Sequence, residues 1–166
     1  MGPDVAVVAW LGYEPPAGVN LDAVRSERAR LGADELVAFV RGLAVQAPRA
    51  AVVVVGHSYG SLVAGYAAGR LPSDVTDIVA IGSPGLDVAS SRDLHTQARV
   101  WAGSSPSDWT RWLPDVRVFG LGHGRKPSEP EFGARRLDVA DADGHDGYYV
   151  PGTTALDSIA RVVAGD

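Results

Sequence analysis

Ser58 stands between Gly56 and Gly60 in the stretch GHSYGS, Gly56–Ser61. A serine hydroxyl is a poor nucleophile at neutral pH. It attacks a carbonyl only when a base takes its proton and a carboxylate orients that base. Glycines two positions to either side permit a strained backbone and a close helix–strand approach, which thrusts the serine out of a tight turn. The five-residue pattern is weak by itself, because a glycine-rich chain of this length produces it by chance about one time in six. Its surroundings strengthen it. AVVVV precedes it at Ala51–Val55 and SLVAGYAAG follows from Ser61, so strand, turn and helix come in the required order.

In an open α/β sheet the working loops follow the C-terminal ends of the strands, and the partners of Ser58 are sought there. The chain has four histidines. His57 lies inside the turn, where its side chain is expected to point away from that of Ser58, and His95 falls in a helical stretch. His145, in DADGHDGYY after the last expected strand, is the favoured base, with His123 of GLGHGRKP as the alternative. For the acid, Asp108 follows the fourth strand in GSSPSD, and Asp87 follows the third in GSPGLD. Asp108 is favoured, since it gives the chain order serine, acid, histidine. Asp138, Asp141, Asp143 and Asp146 surround His145 and suggest a metal loop. The run lacks EF-hand spacing and the terminal glutamate, position 152 being glycine, so no metal is expected. GLGHG is followed by a proline-rich loop and no helix, which argues against a dinucleotide site. No cofactor is expected. Trp101, Trp109, Trp112, Tyr148 and Tyr149 lie near the acid and base in sequence and are candidates to line an apolar acyl pocket.

The elements that must position these residues alternate. Val5–Trp10 (VAVVAW) reads as a buried parallel strand closed by LGYEPPAG. A helix is expected from about Asp22, with Leu36, Phe39, Val40 and Leu43 at helical spacing and Pro48 ending it. Ala51–Val55 lacks alternation and reads as a strand buried on both faces. Ser61–Arg70 reads as a helix, Asp77–Ile81 and Ala98–Ala102 as strands, Val116–Phe119 as a short strand or excursion, and Gly120–Gly133 as a loop. Ala134–Val139 is the last expected strand, and Thr154–Val163 a closing helix. Apolar strands alternating with helices predict an α/β sandwich of three layers around a mostly parallel sheet. No repeat or linker interrupts it, so residues 1–166 read as a single minimal domain.

Composition narrows the function classes. The net charge of −5 and the scattered basic residues give no support for nucleic-acid binding. The absence of cysteine excludes thiolate catalysis and cysteine zinc sites. MGPDVAVVAW has neither a basic n-region nor a long apolar stretch. Neither a signal peptide nor a membrane span is therefore expected, and a cytoplasmic location is the reading.

AVVAWLGYEPP, GHSYGS, DIVAIGSPG, HGRKPSEPEFGAR and GHDGYY together resemble the α/β-hydrolase superfamily, and within it an uncharacterised, mainly actinobacterial branch. The resemblance implies a Ser58–Asp108–His145 triad and hydrolysis of a small-molecule ester or related acyl bond. It also implies an oxyanion donor at the Tyr59 N–H. The superfamily's second oxyanion donor comes from a strand upstream of the one that AVVAWLGYEPP resembles. The N-terminal strands of the full fold are thus expected to be missing, or Leu11–Tyr13 to supply the second donor. A missing strand leaves a sheet edge, where pairing with a second copy or a partner is expected. Acyl transfer or cyclisation by the same triad, and a non-catalytic binding domain with an incomplete oxyanion hole, are the alternatives.

Overall fold

The computed structural model describes residues 5–15, 26–113 and 123–165. Three α-helices are described: α1 (Glu27–Gln46), α2 (Tyr59–Ala67) and α3 (Thr154–Ala164). Four strands, β1 (Val52–His57), β2 (Val75–Ile81), β3 (Arg99–Gly103) and β4 (Arg135–Arg136), form one parallel sheet in the order β1-β2-β3-β4.

Three layers follow from where apolar side chains fall. Along α1, Ala29, Ala33, Leu36, Val37 and Val40 are buried at helical spacing. They pack with Leu62, Val63, Ala64 and Ala67 of α2 against Ile78 and Val100 of the sheet. Along α3, Ala155, Ile159 and Val162 are buried in the same way and meet Val79 and Ile81 on the opposite sheet face. Ile78 and Val79 thus point to opposite layers, as successive strand residues must, and β2 is covered on both sides. The helix ends have local causes. The Thr153 hydroxyl accepts from the Leu156 N–H (3.2 Å) at the start of α3, and Gly165 closes it with φ 83°.

The expected elements hold with three corrections. Val5–Trp10 forms no strand. Val7 is 74% exposed and Leu11 87% exposed, because Trp10 is drawn onto α1, where its ring lies 6.2 Å from Phe39. The run therefore lies against a helix and not beside the sheet. Val52–Val55 of β1 are half-buried and not buried, since among the described strands β1 pairs only with β2. The last strand shrinks to Arg135–Arg136, although Leu137 still donates its N–H to the Ala102 carbonyl (3.0 Å). Val116–Phe119 and the expected helix start near Asp22 lie outside the described residues. Among the described residues no helix is long and apolar enough to cross a membrane.

Register aligns the working ends of the strands. His57 stands opposite Ile81, and Ile81 opposite Gly103. Ser58, Gly82 and Ser104 therefore leave the sheet side by side. The Ser58 N–H donates to the Ile81 carbonyl (3.0 Å) and the Gly82 N–H to the Gly103 carbonyl (3.1 Å). Gly56 permits the next step. A Cβ there would lie 2.7 Å from Ser61 Cα and 2.8 Å from the Gly60 carbonyl oxygen. Those are backbone atoms that cannot rotate aside, so strand and helix touch only because the side chain is missing. Gly56→Ala is expected to lower unfolding free energy by about 1–3 kcal/mol, the usual cost of overpacking. Urea denaturation checks it, and an unchanged midpoint would refute the close-contact reading.

Candidate active site

Ser58 sits at the head of α2 with φ 54° and ψ −128°. A non-glycine residue in this region stores of order 1–3 kcal/mol of strain and persists only where its surroundings hold it. The holding contacts are specific. Its N–H is bound to β2, and its carbonyl accepts from the Ser61 N–H (3.0 Å) and from the Ser61 hydroxyl (2.6 Å). Ser61 Oγ lies 2.7 Å from Ser83 Oγ in the loop after β2, which braces the turn from below. Among the described residues the Ser58 hydroxyl makes no hydrogen bond. Apo sites often leave this link unmade until substrate binds.

The structure brings Asp108 and His145 together. Nδ1 of His145 lies 2.9 Å and 3.0 Å from the two Asp108 oxygens. A carboxylate only accepts, so Nδ1 carries the proton and Nε2 keeps its lone pair. Asp108 is fully buried. Burial alone would raise its pKa, but hydrogen bonds from Tyr148, Thr110 and His145 outweigh that and hold the carboxyl below its usual range. The Thr110 N–H (2.8 Å) and hydroxyl (2.7 Å) donate to one oxygen, and the Tyr148 hydroxyl (2.5 Å) to the other. Burial and the neighbouring Asp108 push the Tyr148 phenol well up, so it stays a donor.

The loops bearing Asp108 and His145 are bonded to one another. The Ser105 N–H donates to Tyr148 Oη (2.9 Å), the Ser105 hydroxyl to the Ala142 carbonyl, and the Gly144 N–H to Ser107 Oγ (2.7 Å). His57 joins this assembly to the serine turn. Its Nε2 lies 2.7 Å from the His145 carbonyl oxygen, and the two imidazole rings pack 4.6 Å apart. A carbonyl accepts, so His57 carries its proton on Nε2. Burial lowers the His57 pKa, which favours the neutral ring beside His145. Gly82, with φ 55°, makes room for the pair. A Cβ there would lie 2.8 Å from Asp108 Oδ2 and 3.1 Å from His145 Cε1.

The alternative acid and base find each other instead. Asp87 accepts from the Ser26 and Tyr66 hydroxyls, and its other oxygen lies 3.8 Å from His123 Nδ1. Their backbones are bound as well, the Asp87 N–H donating to the His123 carbonyl (2.8 Å). The His123 ring stands edge-on to Tyr59, 6.1 Å away. This second pair braces the turn from the side of α1. The acidic cluster round His145 does not converge. Asp141 caps α3, accepting from the Thr154 (2.7 Å) and Ala155 (3.1 Å) N–H groups. Among the described residues no group of three or more His, Asp or Glu is placed to hold a metal ion.

The aromatic residues divide. Trp109 packs 4.9 Å from the His145 ring and Tyr149 6.2 Å from that of His57. Both are partly exposed and border the site. Trp101 instead donates its Nε1–H to Asp77 (2.7 Å), which also holds Arg99, and Tyr148 is a fully buried acid-holder. Gly82, Ser105, Ser107 and Thr110 are supports that the sequence reading did not single out, and His57, set aside there as a base, proves a support as well. The GSPG and GSSPSD loops signalled Gly82, Ser105 and Ser107, as small residues at strand ends, and no local pattern marked Thr110. A cleft of about 640 Å³ beside α1, lined by Gly12, Tyr13, Glu27 and Leu31 among others, includes none of Ser58, Asp108 or His145.

Comparison with known proteins agrees with this architecture. The alpha/beta hydrolase family profile matches residues 1–118, and the chain belongs to that family. Ser58 and Asp108 fall inside the matched stretch and His145 outside it. An uncharacterized protein of Mycobacterium tuberculosis is 30% identical over 188 aligned residues, covering 96% of this chain and 29% of its own length. An uncharacterized protein of Mycobacterium bovis is 38% identical over 95 residues, covering 56% of this chain and 35% of its own. The chain thus spans only about a third of these curated relatives. Among solved structures, the crystal structure of esterase PE8 superposes with a TM-score of 0.59 at 20% identity, over 92% of this chain and 68% of that one. That likeness is one of fold.

Two outcomes follow from the packing. Gly82→Ala is expected to displace the Asp108–His145 pair and, under the function proposed below, to lower turnover of an ester substrate by about 10²-fold, the cost of a misplacement of about 1 Å, and steady-state kinetics check it. Tyr148→Phe keeps the buried ring and removes one donor to Asp108, at about 1–3 kcal/mol. Because the folded Asp108 pKa is depressed, its stabilising contribution is present above the usual carboxylate value and lost as pH falls through the depressed one. The stability gap between wild type and Tyr148→Phe should therefore narrow below about pH 4. Denaturant titrations at neutral and acid pH measure it, and a gap independent of pH would contradict the assignment.

Proposed function

We propose that the chain is a serine hydrolase acting on an ester or related acyl bond, with residues 1–166 serving as one catalytic domain. The observation that supports it most is the His145 ring bound to the buried Asp108 carboxylate, with Nε2 left as the basic nitrogen, at the same end of the sheet as a serine held at positive φ. In this reading Ser58 Oγ attacks the acyl carbonyl while His145 Nε2 takes the hydroxyl proton. The tetrahedral oxyanion forms against the Tyr59 N–H in the first turn of α2, where helix N–H groups point outward. As the C–O bond to the leaving group breaks, His145 returns the proton to that oxygen and the acyl group stays on Ser58. Water, deprotonated by the same nitrogen, releases the acid and restores the hydroxyl. Asp108 keeps the imidazole oriented and compensates its transient charge. Trp109 and Tyr149 present apolar surface at the rim, which suits an uncharged acyl or aryl group.

Ser58→Ala is expected to lower turnover of a short-chain aryl ester by about 10⁴-fold or more and to abolish labelling by a fluorophosphonate probe. Undiminished hydrolysis or unchanged labelling would overturn the proposal.

A further inference from the structure

The segment Trp10–Tyr13 is docked by a succession of rings. Trp10 lies 6.2 Å from Phe39 of α1, Tyr13 stacks on Trp10 at 5.9 Å, and Tyr13 stacks in turn on Tyr59 at 6.4 Å. Tyr59 is the residue that follows the serine. The seat for Tyr13 is built into α1. Gly32 lies inside that helix, where a glycine costs about 1 kcal/mol relative to alanine. A Cβ on it would fall 2.9 Å from Tyr13 Cγ and 3.0 Å from Tyr13 Cβ. The missing side chain is thus what lets the tyrosine lie against the helix.

The position of the hydroxyl is the informative part. Among the described residues, apart from its chain neighbours and its own helix backbone, Tyr13 Oη is the one atom within 4 Å of an ideal Cβ built on Gly60, at 3.8 Å. Helical Cα–Cβ bonds tilt toward the helix N-terminus, so that direction runs along the first turn of α2 toward the end where Ser58 sits. Among the described residues the hydroxyl makes no hydrogen bond. Burial raises the phenol's pKa, which keeps the proton on oxygen. A protonated donor without a bonded partner, locked by aromatic packing beside the nucleophile's helix end, matches what oxyanion stabilisation asks for: a preorganised donor that need not rearrange.

We propose that the Tyr13 hydroxyl is the second oxyanion donor of this site, opposite the Tyr59 N–H. The inference rests on the serine-hydrolase reading and deepens it. Tyr13 makes and breaks no covalent bond. Its O–H donates to the carbonyl oxygen as negative charge develops there, and the proton stays on the phenol when the tetrahedral species collapses. A side chain thereby does the work usually done by a backbone N–H from an upstream strand, and the segment Trp10–Tyr13 has a role as a loop that it would not have as a strand.

Tyr13→Phe tests this, since it preserves the ring stack and removes only the hydroxyl. Steady-state hydrolysis of an aryl acetate should show kcat reduced by about 10²–10³-fold, with KM changed by less than about two-fold, as expected for an interaction made only in the transition state. Binding of an aryl trifluoromethyl ketone, which forms a tetrahedral adduct on serine, should weaken in parallel. The melting temperature should not fall, because the hydroxyl makes no hydrogen bond to any described residue. A Tyr13→Phe variant with wild-type kcat, alongside a Ser58→Ala variant without turnover, overturns the donor role and leaves the nucleophile assignment standing. A wild-type protein that neither hydrolyses the ester nor is labelled at Ser58 overturns both.

Discussion

A carboxylate with no solvent contact is the constraint around which the site is organised. Burying the Asp108 charge would cost several kcal/mol if it were left unpaired. Here every neighbour is a donor: two groups on Thr110, the Tyr148 hydroxyl and the His145 ring nitrogen. Satisfying the charge fixes much else. It sets the His145 tautomer, forces Tyr148 into the core with its hydroxyl inward, and requires Gly82 to remain without a side chain. The loops after β3 and β4 are thereby bound to each other through a single ion, with Gly82 of the loop after β2 packed close against it. His57 extends the arrangement to the serine turn by donating to the main chain of His145, the proposed base.

The sheet supplies the frame on which that ion acts. Parallel strands in register deliver Ser58, Gly82 and Ser104 to the same end, so three loops separated in sequence meet without long excursions. The α1–α2 layer braces the serine turn from one side through Gly56, Ser61 and the Asp87–His123 pair. The layer of α3 covers the opposite sheet face with Ile159 and Val162. Strain at Ser58 persists because both the strand before it and the helix after it are held independently.

Much of this was legible in the sequence, for identifiable reasons. Ala51–Val55, Asp77–Ile81 and Ala98–Ala102 are short β-branched or apolar runs between glycine-rich breaks, and local pattern suffices to mark them as strands. Ser58 was legible because its turn needs glycine at two fixed offsets. Asp108 and His145 were reachable through topology, since loops at strand C-termini are few. What escaped was decided by tertiary competition. VAVVAW has the pattern of a strand, yet Trp10 finds Phe39 and Tyr13, and a sheet edge cannot be read from an apolar run. Tyr148 looked like a pocket aromatic because nothing local reveals that its hydroxyl meets a carboxylate. Gly32 carried no local signal, because the ring that fills its gap comes from a loop earlier in the chain.

The central claim is that Ser58 is acylated during turnover because His145, held by Asp108, takes its proton. Rapid acid quenching during reaction with an activated ester, followed by peptide mapping by mass spectrometry, tests it most directly. The account predicts a transient acyl adduct on Ser58 in the peptide containing GHSYG, and its loss when His145 is replaced by alanine. Hydrolysis that proceeds with no adduct on Ser58, or with the acyl group on another side chain, would contradict it.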